Sequence, residues 1–285
     1  MDRIDLHRKI IREQEEKPKV ERAIELVNQK VELSAYRNER NLMLYPFCST
    51  ARKTRFTPIK YKTTDGKRWL IVSPNVEYGM AKIWDFDVLR YALSKAGEVA
   101  RMEGATFPPY VEFSAYECLK ALKKTDSKKN YEWLEAALDR LASTTYSGNI
   151  FREEERTKET FTLLSVKFIG GDDGIERIRI NFNERLIESA RYYKGLLEID
   201  PRILKEDSGL KKRLLELVKT GMGRNSDWTV GLVRLQELCA HEGALKEFKR
   251  QIKSFKDISW DIAFSPKAGG GENVTFIKKE QIPTK

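Results

Sequence analysis

In the stretch ALKEFKRQIKSFKD, residues 244–257, five cations are accompanied by a single acid, Glu247, before the closing Asp257. At about 100° per residue, Lys246, Lys249, Arg250, Lys253 and Lys256 share one arc of a helix, beside an apolar arc of Leu245, Phe248, Ile252 and Phe255. Burying the apolar arc would aim the cations outward, and such a ridge suits a polyanion. The lysines would meet phosphates, whereas Arg250 and Gln251 are the side chains able to reach base edges. A lysine-rich helix face that simply meets water is the plain alternative.

Other chemistries fare worse. Nicking DNA through a tyrosine usually takes a metal held by clustered histidines, and the chain has only His7 and His241. A phosphate-cradling loop needs a lysine after its glycines. Neither GGDDG (170–174) nor AGGGEN (268–273) has one. Cys239 and His241 stand two apart with no second pair at ligand spacing, so no metal and no cofactor is expected. Asp85 and Asp87 could do acid–base work, but their place at the start of a helix makes capping and dipole compensation the better expectation. The chain does not read as an enzyme.

Composition bounds the rest. A chain of 285 residues suggests two domains, and 53 Lys plus Arg against 43 Asp plus Glu gives a net charge of +10 that favours polyanionic partners. Three scattered cysteines fit a reducing compartment rather than a disulfide framework. No apolar run approaches the roughly 18–20 residues of a membrane span, and a cytoplasmic protein without a membrane partner is expected.

The elements that must position the cationic ridge can be traced along the chain. Residues 1–40 read as a charged arm followed by a helix with Ile24, Val27 and Val31 on its apolar side. Alternation around Asp65-Gly66 predicts a hairpin, and the segment WDFDVLRYALSKAGEVARMEG a helix closing at Gly104. Ser114 can cap a short helix, which the turn TDSKKN joins to the helix YEWLEAALDRLAST. TTYSGNIF, TFTLLSVKFIG and IERIRINF read as strands. Helix, turn, helix and hairpin is the order of a winged helix, and it recurs from residue 208 to the hairpin around PKAGGGEN. The expected fold is therefore α+β, with two tandem winged-helix domains over 41–182 and 183–285 after the N-terminal arm and helix (1–40). In the first, Lys128, Lys129, Asn130 and Tyr131 enter the presumptive recognition helix and are the groups able to approach DNA. Arg52, Lys53 and Arg55 could touch the DNA backbone or form a solvated strand entry.

Three ordered blocks, YPFCSTARKTRFTPIKYK, EYGMAKIWDFDVLRYALS and YEWLEAALDRLASTTYSGNI, resemble the plasmid replication initiator protein A family. That family carries a Tyr-Gly-x-Ala-x-Ile-Trp-Asp-x-Asp core and a Leu-x-x-Ala-Leu-x-Arg-Leu helix ending in Ser-Thr-Thr. The resemblance spans roughly residues 45–265. It implies tandem winged helices that bind repeated duplex sites, called iterons, in a plasmid origin and help to open DNA for host initiator and helicase proteins. It also implies that part of the protein is a homodimer, formed through the N-terminal winged domain, that represses its own promoter while monomers act at the origin. KKTDSKKNYEWL departs from the Gly- and Arg-rich helix entry of the family. A transcriptional repressor without a replication role, or a protein-interaction module with an incidental basic face, uses the same elements.

Overall fold

The computed structural model describes residues 3–29, 31–151, 158–171, 174–192, 195–255 and 259–279. The chain opens with α1 (Arg3–Leu26), a helix that contains Pro18. The expected arm is thus the front of this helix, rich in the Glu, Lys and Arg that favour helices. Its end docks through Ala23 and Leu26 on Val99, while Ile24, expected inside, is 37% exposed. β1 (Arg37–Glu39) runs into the short helix α2 (Arg40–Leu44), which Glu39 caps by accepting from the Leu42 N–H. β2 (Ile59–Lys62) and β3 (Trp69–Ser73) form the expected hairpin, with Gly66 at φ +72° in its turn, a backbone shape that favours glycine.

α3 (Phe86–Val99), β4 (Tyr110–Phe113), α4 (Ala115–Ala121) and α5 (Lys128–Ser143) follow in order. α4 starts on a capping box in which Ser114 and Glu117 satisfy each other's backbone N–H. Next come β5 (Thr145–Gly148), β6 (Glu159–Phe161), β7 (Leu164–Gly171) and β8 (Gly174–Phe182). Here the strands sort differently from the simple hairpin expected. β5 and β6 extend the first hairpin into a sheet of order β2-β3-β5-β6, and only β7 and β8 join β4, in the order β4-β8-β7. Alternation fixes the faces: Val111, Phe113, Ile178 and Ile180 point into the core, while Glu112, itself buried, pairs with Arg179 on the opposite face of the sheet.

α6 (Glu184–Tyr192), β9 (Leu196–Glu198), which pairs with β1, and a 3-10 helix (Pro201–Lys205) lead to the second half. There α7 (Gly209–Met222), β10 (Asp227–Gly231), α8 (Leu232–Leu238), α9 (Leu245–Lys253), β11 (Trp260–Pro266) and β12 (Glu272–Lys278) repeat the order helix, strand, helix, helix, hairpin. The sheet order β10-β12-β11 matches β4-β8-β7, with the first strand beside the last in both. Gly269, Gly270 and Gly271 take φ values of +85°, +101° and +88°, which is why the tip of the second hairpin is a glycine run.

The two halves share one contiguous buried core, from Leu42 to Phe276. Between α3 and α7 it contains charge. Asp87 lies 2.6 Å from both Arg90 and Lys212, Arg90 reaches Glu216 at 2.7 Å, and Asn38 donates to Glu216. Arg213 donates to the carbonyls of Leu42, Met43 and Tyr45 and so ties α7 to α2. Asp87 lies in the first turn of α3, where the helix dipole favours an acid, and also holds the two buried cations. Asp85 makes no side-chain cap bond to the helix and instead holds Arg140 of α5 in a fork at 2.7 and 2.8 Å. Removing one member of such a buried set strands the others' charges, so the halves are locked together by mutual satisfaction.

Candidate nucleic-acid interface

α9 is placed by two fully buried anchors, Phe248 and Ile252, each contributing roughly 1.5–3 kcal/mol through burial. Phe255 packs on the same core just beyond the helix end. Leu245, expected among the anchors, is 36% exposed, because the first turn of the helix overhangs the core. The cations then divide. Lys249 forms an ion pair with Glu272 at the start of β12 and lies 5.1 Å from the ring centre of Phe264, and Lys253 approaches the same ring at 5.0 Å. Lys246 and Arg250 face solvent. Lys256 lies outside the described residues.

The two expected base readers share a partner. Arg250 donates to Glu247 at 2.7 and 2.8 Å, and Gln251 donates to the same carboxylate at 3.0 Å. Those hydrogen bonds hold the Glu247 carboxyl down to about 2. An incoming base or phosphate must compete with this acid for the guanidinium. Lys267, exposed beside the glycine run of the β11–β12 tip, adds a cation that the sequence reading passed over. A lysine in a Gly-rich hairpin turn was the available signal.

Helix α5, at the equivalent place in the first half, differs. Asn130 is occupied in holding the preceding turn, donating to the Thr125 carbonyl at 2.8 Å and to its hydroxyl at 2.9 Å. Tyr131 packs against the core while its hydroxyl bonds Asp126, which raises its pKa. Lys128 extends into solvent 3.8 Å from Glu132, and Lys129 is exposed. Further along, Glu132 and Glu135 are exposed as well. Trp133 packs on the core with Lys124 lying 4.0 Å from its ring centre.

The basic segment at 52–55 is mostly committed to the other half of the molecule. Arg52 donates to the Asp207 carbonyl and lies over Trp84, and Arg55 reaches the Ala240 carbonyl and Glu242. Lys53 is exposed. Among the described residues no group of three or more His, Cys, Asp or Glu side chains comes together as a metal site, and no helix is long and apolar enough to cross a membrane.

Comparison with known proteins follows this architecture. The chain is 25% identical over 230 residues to a protein of Wigglesworthia glossinidia brevipalpis named as a replication protein, covering 78% of this chain and 81% of that one. Its fold is similar to the crystal structure of domain 2 and domain 3 of RctB, with a TM-score of 0.59 at 13% identity over 85% of this chain and 99% of that one. The profile of the family described as Replication initiator protein A matches residues 37–259, from β1 to the threshold of β11. That span takes in the first half, the helices α7, α8 and α9 of the second and the charged interior that joins them, and the chain belongs to this family of plasmid replication initiators.

Proposed function

We propose that the chain starts plasmid replication by binding repeated duplex sites in the origin through two winged-helix domains, the second making the main contact. The chain then divides into a charged N-terminal arm and helix (1–40), a first winged-helix domain (41–182) and a second (183–285). In each, the third helix is the groove-reading element and the hairpin is the wing. The observation that carries it is the set of exposed or half-exposed cations on α9, continued by Lys267 at the wing tip, over a helix anchored by Phe248 and Ile252. A major groove admits a helix of this kind, with Lys246, Lys249, Lys253 and Lys256 on phosphates and Arg250 and Gln251 at base edges.

Lys128 and Lys129 contact the DNA backbone from the first domain, while Asn130 and Tyr131 shape the entry to its helix. No hydrolysis is required of the protein. Distorting a site of 20–30 base pairs costs on the order of 1–6 kcal/mol, which phosphate contacts and loading on adjacent repeats can supply. Host initiator and helicase proteins then act on the opened duplex, and a homodimer represses the initiator's own promoter. Footprinting on the plasmid origin tests this, with regularly spaced protected repeats expected. Scattered protection, or a dissociation constant that barely changes between 50 and 200 mM salt, would refute it.

A further inference from the structure

A cavity of about 600 Å³ opens where the 3-10 helix meets α7 and the base of the second hairpin. Its walls are apolar: Met43, Ile203, Leu215, Met222 and Trp260 line it. Its rim is cationic. Arg202 comes from the 3-10 helix, Lys219 and Arg224 from the end of α7 and the turn after it, and Lys278 and Lys279 from the end of β12. Asp200 answers Arg202 at the rim, and Lys279 stands 3.7 Å from Asp261. Lys219, Arg224 and Lys278 are exposed and make no salt bridge among the described residues.

We propose that this cavity is a docking site for an acidic peptide segment of a partner protein, one that inserts a large apolar side chain between Met222 and Trp260. The volume lies within the 300–1,000 Å³ range of ligand-binding clefts, and an apolar floor under a charged rim takes an apolar anchor flanked by opposite charge. The cations come from three elements, the 3-10 helix, the end of α7 with its turn, and the end of β12, which fits carboxylates spaced along a peptide.

Position supports a protein partner over DNA. β11 and β12 run in register from the Trp260–Lys278 pair to the Pro266–Glu272 pair, which at about 3.4 Å per residue separates the cavity from the wing tip by roughly 20 Å. Lys249 and Lys253 of α9 lean on Phe264 and Glu272, toward the tip. A segment in the cavity and a duplex on α9 would therefore occupy opposite ends of the same sheet, and both can be held at once.

The test uses the full-length protein and two fluorescein-labelled peptides, Asp-Glu-Asp-Leu-Phe-Asp-Glu-Asp and the same peptide with two serines replacing Leu-Phe. Anisotropy should show saturable binding of the Leu-Phe peptide only, undiminished by origin duplex. Lys219→Glu with Lys278→Glu should weaken it about tenfold while duplex affinity stays the same. The proposal falls if the serine peptide binds equally well, if duplex displaces the peptide, or if the double variant binds it unchanged. Loss of duplex binding in that variant would also overturn it, by assigning these cations to nucleic acid. Duplex affinity of the unaltered protein, measured in parallel, tests the function proposed above on its own.

Discussion

Helices α5 and α9 stand at the same point of two units with the same strand order, yet their outer faces differ in charge. α9 shows solvent and the neighbouring β11–β12 hairpin Lys246, Lys249, Arg250 and Lys253 with one acid, Glu247. α5 shows Lys128 and Lys129 at its start and then Glu132 and Glu135, while Asn130 and Tyr131 of its first turn are tied back to the loop before it. The interiors show the reverse relation, since α3 and α7 are bound into one charged network and neither unit is complete without the other. A repeated architecture can thus be a single body inside and divide its labour outside. Burial penalises any change that strands a charge, whereas an exposed residue is free to change sign.

The largest test is aimed at the shared interior. Arg90→Ala leaves Asp87 and Glu216 short of a partner and should cost on the order of 3–5 kcal/mol in urea unfolding. A loss under about 1 kcal/mol would mean that the network does not couple the units. Glu39 offers the next effect. Burial pushes its carboxyl up to about 7 from an ordinary 4.5, against the opposing hydrogen bonds from Ser189, the Leu42 N–H and Asn41. The folded protein therefore holds this proton more tightly than the unfolded chain does, so its contribution is present below pH 4.5 and is lost as pH rises through 7. Glu39→Gln should flatten that decline and gain up to ~3 kcal/mol at pH 8. Parallel stability–pH curves for the two proteins would refute the assignment.

On the outside, Arg250→Ala with Lys253→Ala should weaken duplex binding about tenfold and reduce the slope of log affinity against log salt by about one, the share of Lys253 on phosphate. Lys128→Ala with Lys129→Ala should cost less than about threefold in the same titration. Equal losses from the two pairs would erase the distinction between α5 and α9.

Much of this was legible in local sequence. The capping box at Ser114, the Asp65-Gly66 hairpin, the glycine run before β12 and the two arcs of α9 all follow from interactions a few residues long. The site was legible in part. Lys246 and Arg250 emerge on the exposed face, whereas the partners of Lys249 and Lys253 lie on β11 and β12, and Glu247 occupies both Arg250 and Gln251. The fates of Asp85 and Asp87 could not be read locally. A carboxylate at a helix start looks like a cap until a distant cation claims it, and Lys212 lies 125 residues along the chain.

The sequence by itself determined the helices α3, α5, α7 and α9 and where positive charge gathers, because propensity and periodicity act over one or two turns. Tertiary structure decided that β5 and β6 join the β2–β3 hairpin rather than the sheet of β7 and β8, that Leu245 stays outside, and that the two halves share one charged core. Those outcomes depend on competition between segments far apart in the chain, where burial and pairing overrule local preference.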